Sequence, residues 1–122
     1  MNQDVRERLE RYFQTFDQGK EEAHADLLEP DVRFYGSLST QVMKGAASAR
    51  GIYRGVRNRL GVTSLKPLKW FGDYPEMAVL VQLVGIANLD GSPVEAIVHF
   101  EFSERLRISR LGVFWNPGPL RA

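Results

Sequence analysis

Past Gly61 the chain carries no helical period, and every helical pattern comes before it. The stretches "SLKPLKWF", "EMAVLVQLVGIAN", "VEAIVHFEF" and "RISRLGVFW" read as four strands. The turns between them, "GDYP", "LDGSP" and "SERL", are short enough to join antiparallel neighbours, so this half of the chain is a meander. Pro67 marks the first of these strands as an edge. A sheet built this way needs its helices packed on one face. That segregation of helices and strands defines an α+β fold.

The first half supplies the helices. Val5, Leu9, Tyr12, Phe13 and Phe16 recur at helical spacing with charges between them, and Gly19 is a natural stop. "KEEAHADLLEP" predicts a short second helix, with acidic residues in its first turn, Leu27 and Leu28 as its buried end and Pro30 closing it. His24 lies among those acidic residues and is expected to be solvated. An opening strand follows over 31–36, then a loop of Ser, Thr and Gln. Residues 45–61 predict a third helix. Its apolar stripe is Ala49, Ile52, Tyr53, Val56 and Leu60, and Arg50, Arg54 and Arg57 follow the other side as a solvated face.

The long strand is apolar on both faces. Val79, Val81 and Leu83 lie on one; Ala78, Leu80, Val84 and Ile86 lie on the other. A sheet with one wet face should instead alternate apolar and polar residues. Helices cover only one face, so the second is expected to meet another copy of the chain in a homodimer. The alternative is a central strand partly covered by a loop or tail.

Composition narrows the function classes. At 122 residues the chain is expected to be one domain over 1–122. A net charge of +1 argues against nucleic acid or an anionic membrane as a partner. No cysteine is present, which excludes disulfides, thiol nucleophiles and iron–sulfur clusters and is compatible with a cytoplasmic location. The start, "MNQDVRERLERYF", lacks the apolar core of a secretory signal, and residues 77–89 are too short to span a bilayer. The two histidines offer no metal-ligand spacing, so neither a metal nor another cofactor is expected. The "GSLS" serines have no histidine partner, and no nucleophile elbow or phosphate loop is present.

Taken in order, "RYFQTFDQGK", "LLEPDVRFYG", "MKGAASARGIY", "VHFEF" and "ISRLGVFWNP" resemble the NTF2-like superfamily, in its SnoaL-like and ketosteroid-isomerase-like branch. The resemblance covers nearly the whole chain. It implies a cone in which a strongly bent antiparallel sheet wraps around three N-terminal helices and leaves an internal pocket. It also implies where an isomerase's chemical parts would lie. The oxyanion-hole tyrosine of the first helix falls on Tyr12. The general-base aspartate at the end of the first strand falls on Gly36, and the protonated aspartate of the "VHFEF" segment falls on Val98. Glycine cannot move a proton and valine cannot donate to an enolate, so steroid-type isomerisation lacks its base and its second donor.

On the same resemblance, the inward strand faces line the pocket. Its expected walls are Tyr12, Phe34, Gly36, Tyr53, Val81, Leu83, Val98, Phe100, Leu111, Val113 and Trp115. Tyr12 is the one catalytic candidate, as a hydrogen-bond donor; the alternative is a core tyrosine satisfied by backbone or water. Trp115 and Tyr53 stand equally between pocket wall and ordinary core. By alternation His99 and Glu101 point outward, which gives His99 a structural or interface role. No acidic residue falls on the inward faces of the last three strands, which argues against cyclisation or epoxide opening by an inward carboxylate. A pocket of this kind suits a small apolar or aromatic molecule. The alternative function is non-catalytic, with a filled cavity and a role in dimerisation or partner binding.

Overall fold

The computed structural model describes residues 2–36 and 43–115. The "GSLS" serines with their loop, and the terminal "NPGP", lie outside the described residues. Helix α1 (Gln3–Asp17) begins at Asn2, whose side chain accepts from the Asp4 and Val5 amides at 2.9 and 3.3 Å. This N-cap satisfies two of the first-turn donors that a helix leaves without partners. The helix ends at Gly19, where the amides of Gly19 and Lys20 bond back to the Phe16 and Thr15 carbonyls. Its apolar face, Val5, Leu9, Tyr12, Phe13 and Phe16, is buried.

Helix α2 (Glu21–Ala25) is shorter than the sequence pattern predicts. Leu28 belongs instead to strand β1 (Leu28–Gly36), which starts before Pro30 rather than after it. Proline is tolerated there because β1 meets its neighbour irregularly between Leu28 and Arg33. Strand β2 (Met43–Lys44) is a two-residue pairing that no periodicity could announce. Helix α3 (Ala46–Arg54) runs into a π-helical turn, Gly55–Arg59, where a regular helix is expected. The meander then follows as β3 (Ser64–Asp73), β4 (Glu76–Ala87), β5 (Pro93–Phe102) and β6 (Ile108–Phe114).

The strand order is β2-β1-β6-β5-β4-β3 in one six-stranded sheet. Pro67 therefore lies on an edge strand, as its missing donor requires. Every neighbouring pair is antiparallel except β1 with β6, which is parallel. The sheet bends where β4 loses register between Gln82 and Ala87. Gly85 makes that bend possible. It has φ +106°, and a Cβ there would stand 2.4 Å from the Gly61 carbonyl oxygen.

Face assignment follows the alternation. Met77, Val79, Val81 and Leu83 of β4 are buried against the helices, with Val94, Ala96, Val98, Phe100 and Phe102 of β5 beside them. One inward row crosses five strands in register: Trp70, Val79, Val98, Val113 and Gly36. On the opposite face Leu80 stands beside Ile97 and Phe114, and the last two are exposed. No helix among the described residues is long and apolar enough to cross a membrane.

Candidate functional site

A cavity lies between α1, α2, α3 and the bent sheet. It offers about 60 Å³ to the centres of water-sized molecules. One water needs about 10–15 Å³ on that measure, so the space exceeds a single solvent site severalfold. The sheet side of its wall is formed by Phe34, Leu65, Leu83, Val98, Leu111 and Val113, with Trp115 just beyond β6. The helical side is formed by Tyr12, Phe16, His24, Ile52, Tyr53 and Val56.

Eight of the eleven expected wall residues do line this cavity: Tyr12, Phe34, Tyr53, Leu83, Val98, Leu111, Val113 and Trp115. Three do not. Phe100 is wholly buried, its ring meeting Tyr12 and Phe13 edge-on at 5.2 and 6.1 Å, so it fills the core beneath α1. Val81 is also wholly buried and sits between Pro67 and Ala96, away from the open space.

Gly36 is the third, and its reason is backbone geometry. It pairs with Val113 at φ +104°. A Cβ there would stand 2.2 Å from the Val113 carbonyl oxygen. Added substituents would run into β6 rather than toward the cavity. The position onto which the resemblance places an isomerase's base is thus closed to any side chain unless the strand turns.

The hydrogen-bonding groups of the cavity come mainly from the helices. Tyr12 is buried, and burial holds its phenol well above the usual tyrosine range. It therefore stays protonated and can act only as a neutral donor or acceptor. Its hydroxyl makes no hydrogen bond among the described residues. The Tyr53 hydroxyl is also buried and has no partner among the described residues. Burial raises its pKa, while the nearby Arg57 guanidinium works the other way.

His24 departs most from expectation. It is buried, at 5% exposure, rather than solvated. Its ring lies among Tyr12, Tyr53 and Phe16 at centroid distances of 4.3, 5.1 and 5.9 Å. Nδ1 is 3.1 Å from the Tyr12 carbonyl oxygen and 3.0 Å from Thr15 Oγ1. A carbonyl only accepts, so Nδ1 carries the proton. Thr15 meanwhile donates to the Arg11 carbonyl at 2.8 Å. Burial lowers the His24 pKa to about 4; the bond to the Tyr12 carbonyl opposes that shift and Arg57 adds to it. The imidazole is therefore neutral near pH 7, with Nε2 as a bare acceptor. The sequence carried a hint, because His24, Leu27 and Leu28 stand at i, i+3 and i+4, the spacing of one helical face, although α2 ends before Leu27. Glu21 and Glu22 concealed it.

Those two carboxylates have another task. Glu21 pairs with Arg54 and Glu22 with Arg50, joining α2 to α3 across the surface. Arg57 donates to the Phe16 carbonyl at the end of α1. The arginine face of α3 is thus engaged within the chain. No cluster of three or more His, Asp or Glu able to hold a metal ion occurs among the described residues.

The sequence profile of the SnoaL-like domain matches residues 9–111. The chain belongs to the SnoaL-like family. Solved structures agree on the fold. A candidate ketosteroid isomerase from Kribbella flavida superposes with TM-score 0.74 at 22% identity, covering 94% of this SnoaL-like chain and 79% of that one. SalBIII, an epoxide hydrolase/cyclase-like enzyme in pyran ring formation in the polyether salinomycin, gives 0.77 at 16% identity, with 93% and 92% covered. A de novo designed protein with a curved β-sheet gives 0.76 at 20% identity, with 96% and 89% covered. That a designed chain shares the architecture shows how little the fold alone says about activity. A comparison with curated proteins finds no match.

Proposed function

We propose that this SnoaL-like protein binds a small, neutral, apolar or aromatic molecule in its cone cavity. One observation carries the reading. The cavity wall is apolar, holds no charged side chain and contains the Tyr53 hydroxyl, buried with no partner among the described residues, together with the Tyr12 ring. Buried hydroxyls left without partners are costly, and a ligand that engages them recovers that cost. If the bound molecule reacts, Tyr12 is the donor to developing negative charge, because its phenol stays protonated. Steroid isomerisation is not part of this reading. Val98 brings no donor, and Gly36 brings no base.

The test is a thermal-shift screen of neutral mono- and bicyclic aromatics. Binding should raise the melting temperature, and the variant Ala49→Leu, which fills the cavity from its α3 wall, should blunt the rise while remaining folded. A flat response across the screen would favour the alternative, a module whose role is association alone.

Self-association is proposed alongside, through the outer sheet face. The half-buried Leu80 and the exposed Phe114 flank Ile97 to form an apolar row there, with Phe114 44% and Ile97 43% exposed. Beside that row, Tyr35 bonds to His99 Nδ1, while His99 Nε2 lies 3.8 Å from Glu76. Light scattering at micromolar concentration should give twice the chain mass, and Ile97→Lys should halve it. A wild-type monomer would remove this part of the proposal.

A further inference from the structure

The helical wall of the cavity makes a more specific demand than apolarity. Tyr12, His24 and Tyr53 are each more than nine-tenths buried and all face the cavity. His24 spends its only proton on α1, through the Tyr12 carbonyl and Thr15. The imidazole then offers Nε2 on its far edge as an acceptor, and no described residue donates to it. The Tyr53 hydroxyl is the complementary case, a buried group with no acceptor. The two rings are 5.1 Å apart between centroids. Both rings line the same cavity, so one ligand oxygen that reached both groups would accept from Tyr53 and donate to His24.

We infer that this end of the cavity recognises a neutral hydroxyl group on an aromatic ring, its oxygen accepting from Tyr53 Oη–H and its proton donated to His24 Nε2. The inference rests on the cavity being a ligand site, as proposed above. Charged, carbonyl and hydrocarbon groups fit less well, and the apolar wall favours an aromatic over an aliphatic hydroxyl. A carboxylate would bury its charge with no cation in the wall, since Arg57 is committed to the Phe16 and Thr63 carbonyls outside it. An ammonium would meet no free carboxylate: none lines the cavity, and Glu21, in the small adjoining pocket beside His24 and Tyr53, is paired with Arg54. A ketone accepts from Tyr53 but gives nothing to Nε2. A bare hydrocarbon leaves both groups unpaired. A phenolic hydroxyl satisfies both with one atom, and its ring suits the apolar sheet wall.

Phenol and its apolar isostere toluene separate the possibilities, titrated into the wild-type protein and Tyr53→Phe at pH 7.5. Phenol should bind the wild type at least as tightly as toluene, although it costs more to dehydrate. In Tyr53→Phe the phenol-over-toluene preference should fall about tenfold, with toluene affinity within about twofold of wild type. In the wild type, the His24 Nε2 nitrogen resonance should move upfield with phenol and hold still with toluene. This readout needs no histidine variant. Toluene binding with an unchanged preference in Tyr53→Phe, or an unmoved His24 resonance on saturation with phenol, would overturn the inference while leaving the cavity a ligand site. Failure of both probes to bind would remove the ligand-site reading and the inference together.

Discussion

The two walls of the cavity are built on different terms. The sheet wall is aliphatic along β4, β5 and β6, fixed by cross-strand register, and those strands bring no titratable side chain to the cavity. The helical wall carries Tyr12, His24 and Tyr53, held by one short helix and two longer ones. The resemblance places an isomerase's two aspartates on the sheet, at Gly36 and Val98. Here neither position carries a polar side chain, and the cavity's phenols and imidazole come from the helices. The sheet wall should therefore answer to mutation through stability, and the helical wall through pH response and ligand choice.

The largest effect tests the sheet. Phe100 is fully buried and meets Tyr12 and Phe13 edge-on. Phe100→Ala should cost about 3–5 kcal/mol in urea unfolding. A loss below about 1 kcal/mol would show that the core under α1 is loosely packed and that Phe100 belongs to the open space after all.

Next comes the attempt to return the missing base. Gly36→Asp places a side chain at φ +104°, against the Val113 carbonyl. Left-handed strain alone costs about 1–3 kcal/mol, and the contact with β6 adds to it. The variant should lose about 3 kcal/mol and gain no steroid-isomerase activity. A stable variant with measurable turnover would show that the strand end can turn its side chain inward.

The helical wall should respond to pH. The folded His24 pKa is about 4, and its unfolded value is about 6.5. Between those values the unfolded chain holds more protons at this site than the folded one. His24 therefore favours the folded state fully above pH 6.5, and that contribution falls away as pH drops toward 4. The full change is roughly 3 kcal/mol. His24→Asn retains a donor near Nδ1 but does not titrate, so it should flatten this part of the pH–stability curve. An equal slope in the variant would assign the loss to carboxylates elsewhere.

These contrasts also mark what was legible in the sequence. Strand faces were, because a period of two places Val79, Val98 and Leu111 on one side whatever the exact strand ends. The α+β order was legible too, because no helical pattern survives beyond Gly61. What escaped depends on neighbours distant in sequence. His24 looked solvated beside Glu21 and Glu22 until Arg50 and Arg54 on α3 turned those carboxylates away. Gly36 looked like an open space in the pocket. Its conformation is dictated by Val113, which joins the sheet only as the last strand. The parallel β1–β6 pair and the π-helical turn leave no periodic trace of their own.

The smallest predicted effect is the most discriminating. Tyr53→Phe removes one hydroxyl that is buried with no partner among the described residues. In a core tyrosine with a satisfied hydroxyl the change would destabilise by about 1 kcal/mol. Here the sign should reverse, because the folded state no longer desolvates a group that gains nothing in return. The ligand-free variant should therefore be more stable by about 0.5–1 kcal/mol in urea. A residue that lowers the stability of the empty protein is readily understood as one kept for what it binds. If Tyr53→Phe is instead destabilising, water in the cavity already satisfies the hydroxyl. The helical wall is then a hydrated one, and a ligand would gain by displacing that water rather than by relieving an orphaned group.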